Sequence, residues 1–283
     1  MKIVWSILLI LSVTNALAGT WPPGKGKGYI KLAAWWVNFD TYYDFQGNHT
    51  SLERTRSIGN ISIYSEYGIT DKFTGIVYFP FFSKSTIFEL KNANTGDIIK
   101  EGEALSSVGD INIGLTYNIL KKPRTIFNIN LTLGVPLGRD HGGSDGSLQT
   151  GDGEFNQLLR FELARSISVH DLHPYFQAYS AFNNRSSGFS DEVQYGVEVG
   201  ISMSVFTFIT RCYGVTSLKN GNASEDLFIN VPAANNTQYL NLAPELNVNF
   251  TKSVGVSLSC IKVLTGQNYF TKTAYTLGLF SKF

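Results

Sequence analysis

From Gly109 to Gly138 the chain reads GDINIGLTYNILKKPRTIFNINLTLGVPLG, and its side chains alternate almost without fault. Ile111, Ile113, Leu115, Tyr117 and Ile119 share one face; Asp110, Asn112, Thr116 and Asn118 share the other. After Lys121-Lys122-Pro123-Arg124 the pattern restarts, with Phe127, Ile129, Leu131, Leu133 and Val135 against Asn128, Asn130 and Thr132. Each half is a strand of period two. The same alternation predicts twelve strands, at about 28–39, 57–67, 72–82, 107–120, 124–135, 153–168, 174–183, 191–203, 206–217, 238–250, 253–264 and 271–283.

The connections alternate as well. Those around 68–71, 121–124, 169–173, 203–206 and 250–253 are short. Those at 40–56, 83–106, 136–152, 184–190, 218–237 and 265–270 are mostly longer and rich in Gly, Asn, Ser and Asp. Short ends on one side and long ends on the other describe an up-and-down antiparallel meander.

The remaining question is which face meets water. Strands of ten or more residues are long for a soluble sheet, where about 5–6 is usual, whereas about 9–11 tilted residues cross a bilayer. Faces made of Asn, Ser, Thr, Gly and Glu pack a dry core badly. Charged residues are only 16% of the chain, against about 25% in a typical soluble domain. The reading is an all-β, single transmembrane barrel of twelve strands, oily face to lipid and polar face to the lumen. A soluble sandwich or lipocalin-like barrel is the alternative.

Lys2, the apolar run Ile3–Val13 and Ala16-Leu17-Ala18 read as a cleaved export signal over 1–18, leaving 19–283 as the barrel domain. The last strand carries Tyr275, Leu277, Leu279 and Phe283 on one face. It resembles the C-terminal signature of bacterial outer-membrane proteins, which implies the outer membrane as location and its assembly machinery as partner; Ser281 departs from that signature. An even strand number puts both termini on the periplasmic side. Trp35, Trp36, Tyr78, Phe81, Tyr117, Phe206, Tyr213, Tyr275 and Phe283 are girdle candidates, with lumen packing as the alternative for each.

Strand spacing and tilt give a backbone radius of roughly 12 Å, enough for small solutes only. Cys212 and Cys260 fall on strands nine and eleven, too far apart for a disulfide, and are expected to be free and lipid-facing. A net charge of +1 gives no footprint for nucleic acid.

Glu66, Asp110, Glu154, Arg160, Glu162, Glu192, Glu198, Arg211 and Glu245 are expected to point inward. Of these, Arg160, Glu162, Glu198, Arg211, Glu245 and Glu66 are the lumen or selectivity candidates. Arg160 and Glu162 share a face, and Arg211 is placed to meet Glu198 or Glu245. They act either as an ion-pair plug that stiffens the wall or as a charged constriction. Asp140, Asp145, Asp152 and Glu154 carry calcium-type oxygens, but their spacing fits no EF-hand, and the segment reads as a mobile outer loop. No metal or cofactor is expected. His170 and His173 lie in a short turn, and His49 and His141 in loops, so a lipid hydrolase with a Ser-His pair is a weak reading. Aromatic residues of the long loops (Tyr42, Tyr43, Phe45, Phe88, Phe228, Tyr269, Phe270) suit an apolar ligand.

Three stretches, YGITDKFTGIVYFPFF (67–82), TGDGEFNQLLRFE (150–162) and AFNNRSSGFSDEVQYGVEVG (181–200), together resemble an uncharacterised group of bacterial outer-membrane barrels. That group is tied to the "MetA-pathway of phenol degradation" barrel proteins. The likeness runs from Trp21 to Phe283 and implies a transporter, without catalytic residues to carry over. It also implies that Tyr67–Phe73 is a periplasmic turn. The expected function is passive passage or uptake of a small solute, hydrophobic or aromatic. The alternative is a non-conducting structural or surface-interaction barrel sealed by its lumen ion pairs.

Overall fold

The computed structural model describes residues 21–168, 172–221 and 235–283. The export segment, His170 and Phe228 lie outside the described residues. Twelve staves follow one another in chain order: β1 (Gly28–Tyr43), β2 (His49–Gly68), β3 (Phe73–Ile87), β4 (in two pieces, Glu103–Ser107 and Ile111–Lys122), β5 (Thr125–Val135), β6 (Asn156–Ser166), β7 (His173–Arg185), β8 (Glu192–Met203), β9 (Phe206–Ser217), β10 (Gln238–Asn249), β11 (Val254–Gln267) and β12 (Ala274–Lys282). Each pairs antiparallel with the next. β1 closes the ring against β12 in the register Tyr29↔Lys282 to Trp36↔Tyr275. Closure removes both sheet edges, which lipid requires because it cannot hydrogen-bond a free backbone group.

The oily face points out. Ile113, Leu115 and Leu131 are 46–49% exposed, while Asn118, Asn128 and Asn130 across the same hairpin are 1–5% exposed. Inside, Asn118 donates to Asn128 at 2.6 Å, Asn130 to Thr116 at 2.9 Å and Thr132 to Asn130 at 2.7 Å. This ladder explains the asparagines: each amide has both donors and acceptors for its neighbours on adjoining strands.

Where the alternation fails, the backbone bulges. The register of β2 and β3 jumps from Ile61↔Phe82 to Ile63↔Phe79, with Pro80 in the extra turn of chain. Proline has no N–H for the ladder, and the bulge lets neighbouring Phe81 and Phe82 both face outward. The break in β4 sits opposite, where the Gly109 N–H donates to the Pro80 carbonyl at 2.8 Å. A second bulge, between Asn118 and Leu120, likewise turns Ile119 and Leu120 out together.

Two expected long loops are shorter than the sequence suggests. The 40–56 connection is mostly strand, turning only at 44–48, where Asp44 accepts from the backbone of Gln46 and Asn48, both at 2.8 Å. The 83–106 connection loses its ends to β3 and β4, and Leu90–Lys91 pairs with Ile98–Lys100 in a small hairpin. Polar and glycine content marked these stretches as loops, yet Thr, Tyr and Ile continue the pairing above the membrane-spanning part.

Of the expected girdle residues, Trp36, Phe81, Phe206, Tyr275 and Phe283 are exposed on the outer surface. Trp35 instead joins the buried cluster of Val37, Phe39, Ile58 and Phe270 inside the barrel. Tyr213 also faces inward, edge-on to Tyr239. Cys212 and Cys260 are free, Cys212 beside outward Val197 and Cys260 beside outward Tyr275.

A charged and aromatic lumen as the candidate functional site

At mid-barrel, Arg211 from β9 reaches carboxylates on both neighbouring strands. It pairs with Glu198 of β8, and its Nη1 lies 2.7 Å from Glu245 of β10. The register places these side chains together: Glu198 is directly across from Arg211, and Glu245 is on the far side two residues down the strand. Lys31 of β1 reaches the other Glu245 oxygen at 3.7 Å, spanning two intervening strands. The Tyr175 hydroxyl donates to Glu198 at 2.6 Å. Tyr175 fits because it packs against Gly200, where an added Cβ would lie 2.2 Å from the ring.

Arg160 and Glu162 sit on β6, 3.3 Å apart. Glu66 is 2% exposed and accepts a short hydrogen bond from the Tyr64 hydroxyl. The six sequence-predicted lumen residues all face inward; the Arg211 cluster and the Arg160–Glu162 pair are separate ion-pair groups.

Above this level aromatic rings descend the wall. Phe270 stacks on Tyr269 at 4.3 Å, Tyr269 on Tyr239 at 4.3 Å, and Tyr239 meets Tyr213 edge-on at 6.3 Å. Gly196 lies between Tyr213 and Tyr179 in the register, and a Cβ there would come within 2.5 Å of the Tyr179 ring. The Arg160 guanidinium covers Tyr179 at 4.5 Å. Tyr269 and Phe270, expected as loop aromatics, pair with Tyr43 and Tyr42 and so belong to the inner wall.

At the long-loop mouth, Arg185 at the end of β7 binds three carboxylates: Glu154, Glu192 at 2.8 Å and Asp152 at 3.3 Å. Burial pushes the carboxyls of Asp152 and Glu154 above their ordinary values, and the guanidinium offsets only part of that. The loop expected to be mobile is tied down further. Asp110 accepts from the Gly138 and Asp152 backbones at 2.8 and 2.9 Å, and the Ser144 hydroxyl meets Glu103 at 2.6 Å. The calcium-type residues are spent separately: Asp140 on His141 at 2.6 Å, and Asp145 on the Ser147 N–H at 2.8 Å.

At the opposite rim both ends of the barrel meet, the Gly28 N–H donating to Phe283 at 2.8 Å. The segment before β1 crosses this opening. Gly26 bonds Gly68 on the β2 side at 2.8 Å, while Trp21 lies edge-on to Tyr175 of β7 at 5.3 Å. β7 stands six strands from β1 around the ring of twelve, so this strap spans the lumen.

Sequence reasoning missed Lys31, Tyr64, Tyr175 and Arg185. Lys31 was hidden because β1 has apolar residues on both faces, and Arg185 because its stretch, NNRSSG, reads as loop. Tyr64 and Tyr175 alternate in phase with polar residues, which is the signal that would have placed them inside.

The architecture matches solved structures. The COG4313 outer membrane channel from Pseudomonas putida F1 superposes with a TM-score of 0.62 at 14% identity, over 94% of this chain and 99% of that one. LpxR from Salmonella typhimurium superposes with a TM-score of 0.52 at 11% identity, over 91% of this chain and 100% of that one. The fold is that of an outer-membrane β-barrel. No family model matches the chain, and no curated protein matches it.

Proposed function

We propose that the protein is an outer-membrane barrel for passage of a small organic solute through its lumen, with the long loops outside and both termini periplasmic. The observation that carries this reading is the row of inner-wall rings Phe270, Tyr269, Tyr239 and Tyr213, with Tyr179 beyond Gly196 under Arg160, leading from the long-loop mouth toward the charged mid-barrel. A barrel that served only as a scaffold would have no need of rings stacked toward water-accessible arginine. The side chains of Arg211 and Arg160 keep 31% and 30% of their surface open to the lumen. This role fits the transporter group that the sequence resembles, and it fits docking of β12 on the assembly machinery. The barrel binds and passes its solute; no catalytic step is part of the reading.

A sealed barrel is the second reading. It is favoured by the Arg211 pairs and by the Trp21 strap, which together narrow the lumen at two levels. The deciding experiment is conductance of the refolded chain in planar bilayers. Discrete steps that scale with salt support passage. Silence from a barrel that migrates as folded on an unheated gel supports the seal.

A further inference from the structure

Arg160, Arg185 and Arg211 stand on the lumen side of the wall, and their surroundings differ. Arg185 holds three carboxylates and Arg211 holds two. Arg160 makes one hydrogen bond, through Nη1, to its own strand neighbour Glu162 at 3.3 Å. Its Nε is shielded and has no partner. A guanidinium offers five N–H donors in a planar fork, so Arg160 is left with donors that the protein does not use. No carboxylate stands directly across from it: the register partners are Ala181 on β7 and Asn130 on β5, and the Asn130 amide is already bonded to Thr116.

The under-used cation sits at the foot of the aromatic row. Tyr179 lies beneath it at 4.5 Å, and beyond Gly196 follow Tyr213, Tyr239 and Tyr269. These rings pack on one another at 4.3 to 6.3 Å, so a further planar ring would extend the row at ordinary stacking distances. We infer that the lumen binds an aromatic carboxylate, its planar ring against the Tyr179–Tyr213 section and its carboxylate on the free donors of Arg160. A planar carboxylate matches the guanidinium fork in a bidentate way. A neutral arene would leave those donors unused, and a saturated ring would lose the stacking. Glu162 and burial set a limit: Nη1 already donates to Glu162 and Nε is shielded, so the anion takes Nη2 and the second N–H of Nη1. This deepens the passage reading by naming its solute, and it rests on that reading for its biological sense.

The test measures binding apart from passage. The refolded barrel in detergent is titrated calorimetrically with benzoate, cyclohexanecarboxylate and benzyl alcohol. Benzoate is expected to bind saturably and at least about tenfold more tightly than benzyl alcohol, the scale of a charge-assisted hydrogen bond. Cyclohexanecarboxylate should fall between them. Arg160→Gln should weaken benzoate by about tenfold or more and leave benzyl alcohol unchanged. Tyr179→Leu keeps the cation and should weaken benzoate and benzyl alcohol alike, which guards against an Arg160 variant that fails to fold. Equal affinity for benzoate and benzyl alcohol, or full benzoate affinity in Arg160→Gln, overturns the inference. A barrel that binds benzoate but conducts nothing would overturn passage alone, and one that conducts without binding benzoate would overturn this site alone.

Discussion

Replacing Arg211 by Met tests whether the mid-barrel charges are a mutually dependent set. The methionine fills much of the same volume but leaves Glu198 and Glu245 without their cation. Their side chains are only 11% and 9% exposed, so neither is well hydrated. Breaking a buried pair by removing one partner costs about 3–5 kcal/mol. Arg211 is itself about a third open to the lumen, and Lys31 stands 3.7 Å from Glu245. Water and Lys31 together reduce the expected cost to roughly 2–3 kcal/mol. The informative comparison is Arg211→Met combined with Glu198→Gln and Glu245→Gln. Neutral amides remove the stranded charge, so the triple variant should be more stable than Arg211→Met alone by about 1–2 kcal/mol. Stability would be read from urea titrations in lipid vesicles, following tryptophan fluorescence. If the triple variant loses what the three single changes lose in sum, the carboxylates do not depend on Arg211 and the network reading fails.

The outer wall gives a second prediction: Val197→Lys and Leu246→Lys each place a charge in lipid near mid-strand and should destabilise the barrel by about 2–4 kcal/mol. Wild-type heat-modifiable folding of both would mean that the facing is wrong. At the mouth, the carboxyls of Asp152 and Glu154 are raised in the folded state, so the folded chain holds more protons than the unfolded one. Stability should then fall as pH rises from about 4, the ordinary carboxylate value, through the folded values, and level off above them. Glu154→Gln should flatten that slope, and a slope left unchanged would remove Glu154 from it. Trp21→Ala frees the strap from Tyr175 and should raise single-channel conductance under the passage reading; identical conductance would show that the strap does not limit the lumen. Arg160→Ala and Glu162→Ala should shift ion selectivity in opposite directions, and unchanged reversal potentials in both would exclude them from any filter.

Strand identity was legible because each membrane-spanning stave must separate lipid from lumen at every second residue. The hairpin of Ile113, Leu115, Asn128 and Asn130 shows this in its simplest form. Legibility failed where that constraint relaxes. Pro80 and Ile119 break the alternation, and in both places a bulge restores it on the far side. Above the membrane the constraint disappears, so the upper ends of β1, β2 and β3 read as loops although they are paired. In the lumen, sequence could place Arg211, Glu198 and Glu245 on one face, because neighbouring staves share register. It could not place Lys31 with them, since that contact crosses two intervening strands and depends on how tightly the ring closes.

The same closure distinguishes the inward arginines. Short-range pattern makes Arg160 and Arg211 equivalent: both are inward, mid-strand and near a glutamate. Their difference arises from the neighbouring staves. β8 presents Glu198 directly across from Arg211 and β10 presents Glu245 two residues down the strand, whereas β5 and β7 present Asn130 and Ala181 directly beside Arg160. A cation matched by carboxylates on both sides stiffens the wall, and a cation flanked by an occupied amide and a methyl group retains donors for something else. Exchanging those surroundings tests the argument: Ala181→Glu should give Arg160 a cross-strand partner with little net gain in stability, since Ala181 is buried and the new carboxylate must be desolvated. It should also abolish benzoate binding. Retained benzoate affinity in a correctly folded Ala181→Glu barrel would show that the free donors of Arg160 are not what the lumen uses.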